Sequence, residues 1–243
     1  MDEPTDIEGH TSRAFNGELS SQHVRVVEMG SLVLLQVREA SSAYADWDPV
    51  AADRVIERER GVNEFEIDVD ERSLRLIAKR QPVAVDLRVA LGFTKVVAEF
   101  ERMGDEAKKI ALTVRGRAGR DSGRPGAATA RDVRHLARLA INMLRLSLDA
   151  LDRIDHDLSL QVVALDQELD DEYADGLRRL MTRAMEDPRN FSVTLEAAFV
   201  LKSLERIGDH ARNVARVVAE MGQGRGAGLA QSPPLGVPPP AGA

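Results

Sequence analysis

Cysteine is absent from this chain, so there can be no disulfide framework and no thiolate metal site, and any bound metal must be held by oxygen or imidazole ligands. Aromatic residues are scarce, at 4% of the total. The remaining composition, rich in Ala, Leu, Arg, Glu, Asp and Val, suits helical bundles, and strands are not expected. No segment approaches the roughly 18 uninterrupted apolar residues of a membrane span. The N-terminus, Met-Asp-Glu-Pro-Thr-Asp, has neither the basic start nor the apolar stretch of a secretory signal, which predicts a cytoplasmic protein with no direct membrane insertion. Basic residues number 33 against 40 acidic ones, and they are interspersed with the acids rather than gathered into a stripe. Nucleic acid is therefore not expected as a partner.

Proline is sparse as well. Before the C-terminal tail it falls only at positions 4, 49, 82, 125 and 188, leaving long stretches in which nothing interrupts a helix. The predicted helices run from about Leu19 to Tyr44, where Asp46-Trp-Asp-Pro49 ends the first, onward to about Arg80, from about Ala84 to Val114, through the heptads that begin near Val133, from about Leu158 to Met185, and onward to about Met221. The glycines at 116, 119, 123 and 126 mark a linker. The expected organisation is a disordered tail at 1–14, a three-helix bundle at 15–115, a linker at 116–129, a second three-helix bundle at 130–222 and a disordered Gly/Pro-rich tail at 223–243. The fold class is all-α, with two tandem pseudo-symmetric up-down-up bundles. At this length the chain can form one sizeable core or two modest ones, and the repeat described next favours two.

Glu101-Arg-Met-Gly-Asp105 recurs 104 residues later as Glu205-Arg-Ile-Gly-Asp209. The apolar seam Phe93, Val96, Phe100, Met103, Ala107, Ile110 and Val114 moves under the same shift onto Ala197, Val200, Leu204, Ile207, Ala211, Val214 and Val218, so the chain carries two copies of one helical unit. Residues four apart on a helix lie one turn above each other, which places Glu101 beside Asp105 and Glu205 beside Asp209, next to the seam. Such carboxylates repel and require a compensator: an arginine network, with Arg102 and Arg206 as the nearest candidates, or a hard cation. The second helix of each unit adds Glu59 and Asp166 at heptad positions otherwise apolar, with Asn63 and Asp170 one turn further on. A charge on a buried face is costly unless it is paired or bound to metal. Candidate metal ligands are thus Glu101, Asp105, Glu205, Asp209, Glu59, Asn63, Asp166 and Asp170. Asn63 is a neutral, weaker ligand, so the first site is expected to hold metal less well than the second. Gly104 and Gly208 suggest either close helix approach or room beside the carboxylates.

The paired acidic motifs, the duplicated bundles and the segment Ile77-Ala-Lys-Arg-Gln-Pro-Val-Ala-Val-Asp-Leu-Arg88 together resemble the PhoU family, over roughly residues 15 to 222. The resemblance implies a non-enzymatic adaptor that couples the ATPase subunit of a high-affinity phosphate transporter to a membrane sensor histidine kinase and represses the phosphate-starvation response. It also implies a homodimer, and multinuclear iron or zinc clusters held through Glu101, Asp105, Glu205 and Asp209. The Gly/Pro tail departs from the family pattern. Two other readings stand beside this one. A metal-free helical scaffold would use the acids for solubility alone. A carboxylate-bridged metal enzyme would need Glu-x-x-His pairs, and the chain has none. His210, directly after Asp209, is expected to be a solvated residue or a cap. The chain also lacks a Gly-x-Ser-x-Gly elbow and a Walker-type phosphate loop.

Overall fold

The computed structural model describes residues 7–82, 84–117 and 124–222. Its elements are α1 (Ile7–Asp46), α2 (Pro49–Arg80), α3 (Ala84–Gly116), α4 (Ala127–Arg153), α5 (His156–Glu186) and α6 (Phe191–Gly222), with a single 3-10 turn at Pro188–Asn190 before α6. Among the described residues there are no strands. α1 begins at Ile7, inside the segment expected to be disordered, because no proline follows Pro4 until position 49 and the helix can propagate backward from its packed part. α4 likewise starts within the expected linker, at Ala127. The expected C-terminal disorder at 223–243 and most of the glycine-rich linker lie outside the described residues.

The duplication is visible in the turns. Asp48 caps α2 by accepting from the amides of Val50 and Ala51, and Asp155, 107 residues on, caps α5 by accepting from that of Leu158. The residue before each cap, Trp47 and Ile154, takes the left-handed conformation, with φ of 59° and 49°. Bulky residues adopt that region at a cost, and here each links two helices through a turn too tight for an alternative.

Within each half the third helix packs on both others: α2 and α1 against α3, α5 and α4 against α6. The halves also pack on each other, α1 against α4 and α3 against α6, so the four helices form a continuous apolar core rather than the two separate cores expected. The reason is that α1 and α3 carry apolar residues on more than one face. Gly30 shows how close the approach is: a Cβ there would lie 2.7 Å from the ring Cζ of Phe100 and would also strike the side chain of Leu148. Phe100 is fully buried and cannot swing aside. Gly30→Ala should therefore lower stability by about 1–2 kcal/mol in chemical denaturation, overpacking outweighing the roughly 1 kcal/mol that alanine gains in helix propensity.

Polar contacts also join the halves. The Glu99 Oε2 of α3 accepts from the His210 ring at 2.7 Å and from Asn213 Nδ2 at 3.1 Å, both on α6. Burial pushes the Glu99 carboxyl up, but these two hydrogen bonds outweigh it and hold the group below its ordinary value. His210 is thus neither solvated nor a helix cap, in correction of the sequence expectation; it is held between the bundles. Arg206 reaches buried Glu106 across the same seam at 3.0 Å.

Candidate metal centre

The site in the first half is built by α2 and α3. Glu59 lies on the core-facing side of α2, in register with Val55 and Val62, and only 2% of it is exposed. Gly104 makes this possible, since a Cβ at that position would sit 3.1 Å from Glu59 Oε2 and 3.2 Å from Val62 Cγ1. Glu101 and Asp105, one turn apart on α3, meet Glu59 so that one carboxylate oxygen from each lies within 4.8 Å of the other two. Among the described residues, no other trio of acids or histidines converges in this way.

The local electrostatics are unfavourable as they stand. Glu59 Oε2 accepts a hydrogen bond from Gln36 Nε2 of α1 at 2.7 Å, whereas Glu59 Oε1 and Gln36 Oε1 are buried without partners. Burial, opposed by that hydrogen bond and reinforced by the charges of Asp105 and Glu101, pushes the Glu59 carboxyl up. Burial and the Asp105 charge push Glu101 up as well. Glu66, seven residues along α2 from Glu59, is raised by burial and by the Glu101 charge, so it extends the acidic surface. Arg102 relieves this only in part: it pairs with Glu99 at 3.2 Å and acts on Glu101 and Glu66 through its charge alone, and both stay raised. Three carboxylates with an orphaned buried oxygen form an all-oxygen donor set that fits a hard or borderline cation.

The corresponding acids of the second half are arranged otherwise. Arg212, itself on α6, bridges Asp166 on α5 and Asp209 at 2.7 Å, and Lys202 Nζ lies 2.6 Å from Glu205. Asp170 stands nearby with its carboxyl pushed up by burial and by the charges of Asp166 and Asp209. Here the arginine network is the compensator. Under the 104-residue shift, Arg212 corresponds to Lys108 and Lys202 to Ala98, and among the described residues Lys108 makes no ion pair. In the first half, by contrast, no ion pair among the described residues closes the trio: Lys108 acts on Glu59, and Arg102 and Lys109 on Glu101, only through their charge. Asn63, predicted as a ligand, is exposed and outside the trio. Arg206 pairs with Glu106, not with the motif acids. Gly208 serves close packing, since a Cβ there would run into the side chain of Leu169, at the place where Gly104 faces Glu59.

Gln36 and Glu66 join the site beyond the predicted ligands. Gln36 was signalled only by being a polar residue in the apolar run of α1, and Glu66 by its heptad spacing from Glu59.

Fold and site together define a duplicated six-helix protein with a cluster of three carboxylates between two helices of its first half. The model of the PhoU domain matches residues 26–114 and again 133–218, and the chain belongs to the PhoU family. It is 40% identical over 215 residues to the phosphate-specific transport system accessory protein PhoU homolog of Pseudomonas putida, covering 88% of this chain and 83% of that one. It is 39% identical over 209 residues to the phosphate-specific transport system accessory protein PhoU of Escherichia coli strain K12, covering 86% and 85%. The crystal structure of PhoU from Pseudomonas aeruginosa superposes with a TM-score of 0.82 at 40% identity, over 86% of this chain and 99% of that chain.

Proposed function

We propose that this chain is a non-enzymatic accessory regulator of phosphate transport. It acts in the cytoplasm as a homodimer, links the transporter's ATPase subunit to a membrane sensor histidine kinase, and represses the phosphate-starvation response when phosphate is abundant. The observation that carries this reading is family membership over both halves of the chain, with relatives of similar length named for the phosphate transport system. The absence of any candidate transmembrane helix among the described residues is compatible with it.

A metal-responsive component belongs to the first half. Glu59, Glu101 and Asp105 would hold an iron or zinc ion, and the bound charge would neutralise the trio and tie α2 to α3. What the chain itself does is hold Glu59 in place through Gln36, keep water from its buried oxygen, and leave the α3 acids half-open to solvent. In the second half the scaffold reading is favoured, because Arg212 and Lys202 already supply the opposing charge.

Deleting the gene should derepress phosphate-scavenging genes in phosphate-rich medium, and a wild-type copy should restore repression; transcript levels read both. Unchanged expression on deletion would sink the regulatory assignment. Restoration by a copy carrying E59Q, E101Q and D105N would keep the adaptor and remove the metal from its mechanism.

A further inference from the structure

One groove of this acidic chain is lined chiefly by arginine. Between α1 and α4 runs an open groove of about 800 Å³ whose rim bears Arg38, Arg131, Arg134 and Arg138 and whose floor includes Ala137 and Ile141. At its end, Arg179 is held by Asp132 at 3.0 Å and by Glu172 at 2.5 Å, and Arg134 is held by Asp46 at 2.7 Å. Among the described residues, Arg38 and Arg131 make no ion pair, and Arg138 contacts the His135 ring at 2.8 Å. A net excess of arginine has therefore been gathered here on a protein whose formal charge is -7.

Duplication supplies a control within the same molecule. Under the 107-residue relation that carries Asp48 onto Asp155, positions 131, 134 and 138 correspond to Val24, Val27 and Ser31. These line the equivalent groove at the other end of the α1–α4 pair, with Glu28 where this one has His135. Arg38 corresponds to Arg145, which is paired with Asp149 at 2.9 Å, so the two grooves differ at 131, 134 and 138, where the fold does not require arginine. One has been made basic, and packing does not explain it, because the guanidinium-bearing residues at 38, 131, 134 and 138 are all exposed.

We propose that the arginine-rimmed α1–α4 groove docks an acidic amphipathic helix of a partner protein. A small anion would call for donors converging on one point, whereas these are spread along the groove over an apolar floor. From Arg131 to Ile141 the groove follows about 15 Å of helix, room for about three turns of a third helix laid between two others. Carboxylates on its polar side would meet the arginines in charge-assisted pairs, while its leucine-type side covers Ala137 and Ile141. Nucleic acid is disfavoured by the overall negative charge. The assignment is independent of the metal centre, whose residues lie on α2 and α3.

The test uses the purified full chain without metal and a fluorescein-labelled helical peptide of 18 residues with leucine on one face and glutamate on the other, read by anisotropy (the length matches ~5 turns, enough to overlap the groove). Binding should weaken at least tenfold in R131E/R138E and to an intermediate degree in R131Q/R138Q, stay unchanged in V24E on the equivalent groove, and fall with added salt. Circular dichroism of the variants should match wild type, since the altered side chains are exposed; the glutamine pair serves as the reading if the glutamate pair does not fold. Equal binding by wild type and both arginine variants overturns the proposal, as does equal binding of a peptide with lysine in place of glutamate. Tighter binding of duplex DNA than of the peptide, lost in the same variants, also overturns it by assigning the groove to nucleic acid.

Discussion

Replacing Glu59 by glutamine is expected to make the metal-free protein more stable at neutral pH and to abolish its stabilisation by metal. Both effects have one cause. In the metal-free protein Glu59 is a buried acid with an unpartnered oxygen facing two further carboxylates, and beside it Gln36 Oε1 is an unpartnered acceptor. An amide at position 59 removes the charge, keeps the hydrogen bond from Gln36 Nε2 through its own oxygen, and offers an N–H to Gln36 Oε1. Relief of the two orphaned groups is worth about 1–3 kcal/mol. The pH dependence has a definite sign. The folded-state value of Glu59 is raised, chiefly by burial, so the folded protein holds the proton to higher pH than the unfolded chain does. Wild-type stability is therefore fully present below the unfolded carboxyl value, about 4.3, and is lost as pH rises through the folded one. The gap between E59Q and wild type should be near zero in acid and widest above neutrality, as urea midpoints at pH 4 and pH 8 would show. Zinc or ferrous iron at about 100-fold over its Kd should then stabilise wild type by about 2.7 kcal/mol, raising Tm by about 5–10 °C. E59Q should show almost none of that rise. Equal midpoints for the two proteins at pH 8 would mean that Glu59 carries no strain, and a full metal shift in E59Q would place the metal elsewhere.

Much of this arrangement is legible in the chain itself, and the rest is not for identifiable reasons. Heptad spacing of apolar residues located all six helices, because burial on one helical face imposes a local period. The same spacing put Glu59 on the buried side of α2, and the four-residue step put Glu101 beside Asp105. Which side chains meet across helices depends on the register between them, which no local period encodes. That is why nothing local marks Gln36 on α1, and why His210 reads as a solvated residue although Glu99 lies opposite it. The joining of the two cores has the same origin: Gly30 reads as a helix-weakening residue until Phe100 and Leu148 are seen against it. The duplication itself carries a further signal. Aligning the two copies sets Lys108 against Arg212 and Ala98 against Lys202, and these differences separate an acid cluster with no ion pair among the described residues from one held by Arg212 and Lys202.

That contrast supplies the second large effect, the loss of Arg212. In R212Q the guanidinium that holds Asp166 and Asp209 together is gone, leaving a nearly buried aspartate, with 9% exposed, uncompensated beside Asp209 and Asp170. Breaking a buried ion pair by removing one partner costs about 3–5 kcal/mol; because Asp209 is partly exposed and screened, about 2–3 kcal/mol is expected here, a fall in Tm of about 4–10 °C without metal. The two aspartates reach one guanidinium and are therefore close enough to share a cation, so the loss should be largely recovered when zinc is added. Metal content after dialysis, measured by mass spectrometry, should rise by one equivalent over wild type. The reciprocal change, K108R, places the bridging guanidinium beside Glu59 and Asp105, and it should reduce metal uptake in the first half while raising metal-free stability. If R212Q gains no metal while folding normally, the guanidinium is not what distinguishes the two halves. If K108R still binds metal as wild type does, then the position of the cation on the third helix of each half does not decide which acid cluster stays open, and the difference must lie in Gln36 and the packing behind Glu59.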